Sequence, residues 1–219
     1  LQEYGLDRFY AELESLGMST LTKPASHYGL SLILGGSEAS LWELTGIYAG
    51  LARATVQGRE HTLARGAFRP TYRSHPHETS TDRAALETGY HADPAALYQT
   101  FTALLDVNRP GLNRGWRQYA STQPIAWKTG TSFGFRDAWS IGVTPQYAVG
   151  VWVGNADGEG RAGLTGTLTA APIMLDIFSR LKTTTWFQPP ARGMKMVSAC
   201  TQSGHVAGPH CEHTEMRHT

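Results

Sequence analysis

The chain has 219 residues, 41% of them hydrophobic, with 19 Lys+Arg against 18 Asp+Glu and a formal net charge of +1. That length and apolar content exclude a wholly disordered chain and suffice for one domain with a sizeable core, while the balanced charge excludes the global field that gathers nucleic acid or an anionic membrane surface. No apolar run approaches the roughly 18 residues of a bilayer-spanning helix.

The opening "LQEYGLDRFYAELESLGM" is an amphipathic helix with no lead-in, so the chain is expected to be a piece of something longer. Leu6, Phe9, Leu13 and Leu16 share its apolar face and Gly17 supplies the stop. Next, "HYGLSLILGGSEASLWELTGIYAGLAR" gives an apolar run, a Gly-Gly break, Ser37 as N-cap, and a second helix burying Leu44, Ile47, Tyr48 and Leu51. Gly46 and Gly50 on that helix are expected to allow close packing. From Val56 to Asp93 the pattern degrades into surface loops with short strands. A third helix starts on Asp93 as cap and Pro94 at the first turn, buries Leu97, Phe101, Leu104 and Leu105, and ends at Pro110-Gly111.

The texture then changes to "PIAWKTGTS", "DAWSIGVT" and "QYAVGVWVGN", three strand-like runs joined by "FGFR" and "TPQ", which predict an antiparallel meander. A last helix follows Pro172, with Met174, Ile177, Phe178 and Leu181 on one face. Helices, then strands, then a helix predict an α+β fold, an antiparallel sheet with packed helices, rather than alternating βαβ units. From about Thr183 onward no periodic stripe is visible, and the stretch reads as a linker entering another module.

One residue resists this bland reading. Lys128 stands in an apolar strand, after Ile125, Ala126 and Trp127 and before Thr129, Gly130, Thr131 and Ser132. A substrate ending in a carboxylate needs a cation and hydroxyl donors at one end of its groove, and Lys128, Thr129 and Thr131 supply them. Side chains alternate along a strand, so Lys128 and Gly130 share one face and Thr129 and Thr131 the other. Gly130 has no Cβ, so substrate backbone can approach and pair with the edge as an added strand.

Lys128-Thr129-Gly130 matches the K-T-G element of serine acyltransferases. The longer stretch "WKTGTSFGFRDAWSIGVTPQYAVGVWVGNADGEG" resembles the end of the transpeptidase domain of class A penicillin-binding proteins. "HYGLSLILGGSEASLWELTGIYAGLA" resembles the helical region that precedes it there, and the tail "SGHVAGPHC" is similar to the 1C type. The resemblance implies a serine β-lactamase/D,D-transpeptidase-like fold, incomplete at the N-terminus, over residues 1–184, with 185–219 as linker and start of a C-terminal module. It implies a peptidoglycan D,D-transpeptidase working through a serine ester, with stem peptides and β-lactams as partners, no cofactor and no metal. It also implies a periplasmic location, with membrane contact only through an N-terminal anchor outside this chain. Lys128 and Thr131 would be catalytic, the N–H of Thr131 forming half of an oxyanion hole, and Thr129, Gly130, Thr131 and Ser132 would bind substrate.

Two family elements are missing. S-x-x-K and S-x-N precede K-T-G in the family, yet no S-x-N occurs in the chain, and the one S-x-x-K, Ser179-Arg180-Leu181-Lys182, follows K-T-G. The chain is therefore expected to begin after both motifs and to be inactive alone. Two further readings are a serine β-lactamase, distinguished by rapid nitrocefin hydrolysis, and a non-catalytic peptidoglycan-binding module, which penicillin would not label covalently.

Arg136, Asp137 and Trp139 are expected to fix a hairpin, and Asn155 and Asp157 fit turn chemistry. Ten residues separate Cys200 from Cys211, which allows either a disulfide in an oxidising compartment or two unpaired thiols. Of the nine histidines, His213 and His218 fit half of a zinc pattern beside His205 and His210, but the cysteine spacing does not supply the other half. His75 and His77 read as loop residues.

Overall fold

A computed structural model describes residues 1–57, 61–63, 90–107, 123–182 and 184–219. The loop stretch with His75 and His77, and the Pro110-Gly111 helix stop, lie outside the described residues.

Helix α1 spans Leu6–Ser15, and Gly17, at φ 101°, stops it as expected. The Met18 N–H returns to Leu13 O and that of Gly17 to Glu14 O, a Schellman closure that also brings Met18 and Leu13 into one apolar cluster. The apolar run after it forms a short helix α2, Ala25–Tyr28, and a 3₁₀ turn, Gly29–Leu34. Helix α3, Leu41–Gln57, is capped by Ser40, whose Oγ accepts from Glu43 N at 3.1 Å; the expected cap, Ser37, lies three residues too early. Its Ile47 joins Met18, Leu21, Tyr28 and Leu32 in a helical core. Strands β1, His61–Leu63, and β2, Tyr90–Ala92, pair antiparallel. Helix α4, Pro94–Leu105, starts where the sequence predicts, with Asp93 Oδ1 accepting from Ala95 N at 3.0 Å.

The three strand-like runs become β3, Ala126–Thr131, β4, Asp137–Val143, and β5, Ala148–Gly154, an antiparallel sheet in the order β3-β4-β5. One face carries Lys128, Ile141 and Gly150 in register, with Gly130 beside Trp139, and meets α3 and α4, where Ala52, Phe101, Ala126 and Val143 are buried together. The other carries Trp127, Ala138 and Val151 and meets helix α5, Ala171–Arg180, through Met174, Leu175 and Phe178. Leu175 takes the buried place expected of Ile177, which is 37% exposed. A close approach that requires glycine is seen on the strands. A Cβ on Gly142 would stand 2.8 Å from both Met174 Sδ and Phe178 Cε2.

The stretch after α5 is more ordered than its composition suggests. Phe187 is buried and stacks on Phe101 with centroids 5.1 Å apart. Buried Gln123 ties the start of that stretch to α5, donating to Phe178 O at 2.8 Å and accepting from Thr184 N at 3.2 Å. Farther on, β6, Met196–Cys200, pairs with β7, Thr214–His218, and a Cys200–Cys211 disulfide closes the hairpin. The pair is thus oxidised, which removes both sulfurs as thiolate zinc ligands. Among the described residues no helix is long and apolar enough to cross a membrane.

Candidate active site

The register of β3 on β4 decides which backbone groups face outward. Ser132 N–H donates to Asp137 O at 3.0 Å, so Ser132 and Asp137 face each other as a hydrogen-bonding pair. Such pairs alternate in an antiparallel ladder. Gly130–Trp139 and Lys128–Ile141 therefore turn their backbone groups toward β4, and the N–H and C=O of Thr129 and Thr131 point to the opposite edge. Among the described residues no strand pairs with that edge.

Lys128 is exposed, and its ammonium donates to Thr129 O at 2.6 Å, on that same edge. The cation is held at the open side of the strand, with no carboxylate paired to it among the described ion pairs. Gly130 leaves a gap beside Trp139: a Cβ there would be 3.5 Å from Trp139 Cβ. On the opposite face, Thr131 Oγ1 accepts from Gly166 N at 3.0 Å. Ser132, expected to bind substrate, has its Oγ accepting from Asp137 N at 2.8 Å and its carbonyl accepting from Phe135 N, so its visible contacts close the β3–β4 turn. The edge thus gathers a cation, two outward amides and the Thr131 hydroxyl within four consecutive residues, with Ser132 set back in the turn.

The neighbouring residues behave structurally. Asp137 Oδ1 accepts from Trp152 Nε1 at 2.9 Å and so ties β4 to β5, while Asn155 and Asp157 both bond within their own turn, to Glu159. Ser179 donates to Asp176 O, an ordinary bond in the last turn of α5, and Arg180 pairs with Asp176.

Sequence reasoning missed Gly166. It opens a π-helical turn, Gly166–Ala170, that leads into α5, and Thr165 caps it by accepting from Leu168 N. The only hint was a glycine among threonines in "GLTGTLTAAP". π turns of this kind are frequent at functional sites.

An antiparallel sheet between helical layers thus carries K-T-G on an edge that no described strand pairs, a mixed helix and antiparallel-sheet fold. No family model matches the chain. Penicillin-binding protein 1C of Escherichia coli K12 is 32% identical over 174 residues, covering 80% of this chain and 20% of that protein. Penicillin-binding protein 1A of Neisseria lactamica is 36% identical over 119 residues, covering 53% and 13%. The crystal structure of penicillin-binding protein 1A from Haemophilus influenzae aligns with 99% of this chain and 37% of its own at a TM-score of 0.57 and 17% identity, a likeness of fold. The chain belongs to the class A penicillin-binding proteins, as a C-terminal part of their transpeptidase domain. It spans about 20% of the length of the first curated relatives that it matches.

Proposed function

We propose that this chain forms the substrate-facing wall of a peptidoglycan D,D-transpeptidase. The observation that carries this reading is the unpaired β3 edge, where Thr129 and Thr131 turn their amides outward beside the Lys128 ammonium. A stem peptide lying along the edge would pair with those amides, its terminal carboxylate meeting Lys128 together with the hydroxyls of Thr129 and Thr131. The Thr131 N–H would hold the oxyanion as a serine from elsewhere in the full-length protein attacks the penultimate carbonyl and expels the terminal residue. The amine of a neighbouring stem peptide then takes the acyl group, and β-lactams trap the same serine. Ser132 serves the site through the turn that it closes.

The full-length protein is read as periplasmic, with a membrane anchor and a glycosyltransferase half outside this chain. The Cys200–Cys211 bridge supports an oxidising compartment. Because the chain has no S-x-x-K ahead of Lys128, it is read as inactive alone.

Fluorescent penicillin tests this reading. The full-length protein should be labelled covalently and the 219-residue chain not. Lys128→Ala in the full-length protein should cost about 1.5–3 kcal/mol of acylation, the loss of one hydrogen bond to a charged group. A full-length protein that takes no label, or that turns over nitrocefin rapidly, overturns it.

A further inference from the structure

Gly166 is far from the K-T-G strand in sequence, yet its N–H is the one hydrogen-bond partner of Thr131 Oγ1 among the described residues, at 3.0 Å. A hydroxyl has one proton and two lone pairs. With a lone pair held by an N–H, the proton of Thr131 turns away from Gly166, and because this side chain is exposed it is presented to whatever lies along the edge. The hydroxyl is therefore offered as a donor, which an anion accepts more strongly than a neutral group does.

The approach requires glycine. A Cβ on Gly166 would lie 2.5 Å from Gly130 O and 3.0 Å from Thr129 Cβ, and would also collide with Trp139 O. Thr165 fixes the backbone there, its carbonyl accepting from Leu168 N and Thr169 N. The amide of Gly166 is thus held against two strands by a capped turn rather than by a loose loop.

We infer that Gly166 is a positioning residue: it aims the Thr131 hydroxyl at the substrate's terminal anion and so sharpens the preference for a free carboxylate over a neutral terminus. This rests on the reading of the β3 edge as the carboxylate-binding wall.

The test uses the full-length protein and compares acylation rates for benzylpenicillin and its methyl ester. Gly166→Ala, whose Cβ must push the amide off Thr131, lowers the acid-to-ester ratio about tenfold, the worth of one hydrogen bond to a charged group. Thr131→Val lowers the ratio as much, the two changes together lower it no further, and Thr131→Ser keeps it. Replacing the Thr165–Gly166 amide by a backbone ester deletes the donor without adding an atom, and it gives the same loss even where Gly166→Ala folds poorly. An unchanged ratio in the backbone-ester protein overturns the inference, as do losses of ratio that add to those of Thr131→Val. A wild-type protein that benzylpenicillin does not acylate sinks the functional reading, and this inference with it. A wild type that is acylated beside variants of unchanged ratio sinks this inference alone.

Discussion

Gly150 faces Thr45 across the seam between β5 and α3 with no space for a methyl group: an added Cβ would overlap Thr45 Oγ1 and stand 2.9 Å from Leu41 Cδ1. The threonine cannot simply rotate away without losing the bond that its hydroxyl donates to Leu41 O at 2.7 Å. Gly150→Ala should therefore destabilise the fold by about 1–3 kcal/mol, lowering Tm by about 2–4 °C per kcal/mol. Thermal melts check this, and Thr45→Ala in the same chain should restore part of the loss.

Gln123 makes the second prediction. It is buried and bonds both Phe178 O and Thr184 N, so Gln123→Leu would strand the buried Thr184 amide, while Phe178 O keeps the bond from Leu181 N. A group left without a partner costs about 1–3 kcal/mol. Urea unfolding should show a lower midpoint, and hydrogen exchange should rise at Thr184.

The Cys200–Cys211 bridge makes a third. Closing a loop of this length stabilises by about 3 kcal/mol in the chain-entropy model. Cys200→Ser with Cys211→Ser should raise hydrogen exchange through β6 and β7 while leaving the amides of β4 protected. The contact of Gln99 Nε2 with His218 O, at 2.6 Å, should loosen in the same variant.

Tyr48 gives a pH dependence. Burial pushes its phenol above the ordinary tyrosine range. The folded state therefore holds this proton more tightly than the unfolded state does. Its stability is fully present below the unfolded pKa of about 10 and is lost as pH rises from there through the raised folded value. Urea midpoints compared at pH of about 8 and about 10.5 should fall, and Tyr48→Phe should remove that part of the fall.

What could be read beforehand was local or periodic. Asp93 and Pro94 announce α4 because a cap acts within three residues, and the meander shows itself by alternation between short turns. Ser37 and Ser40 both suit a cap, and only the fold's geometry chose Ser40. The tail showed no stripe because a two-stranded ribbon exposes most of both strands, and its order comes from a disulfide and from Phe187 on Phe101. At the site, Lys128 stood out because an ammonium is foreign to an apolar strand. The bond from Gly166 to Thr131 is a tertiary contact between distant segments, which no spacing rule encodes.

The outward amides of β3 carry a hazard for any chain that displays them. An unpaired ladder accepts any extended polypeptide, including a copy of itself, and sheets are commonly blunted against such stacking by a lysine at the rim. Lys128, folded over the carbonyl of Thr129, takes one of its two lone pairs and sets a charge where two copies would meet. On the function proposed above, the cation that would meet a peptide anion also discourages fibrous self-association, and neutralising it should raise the tendency to aggregate.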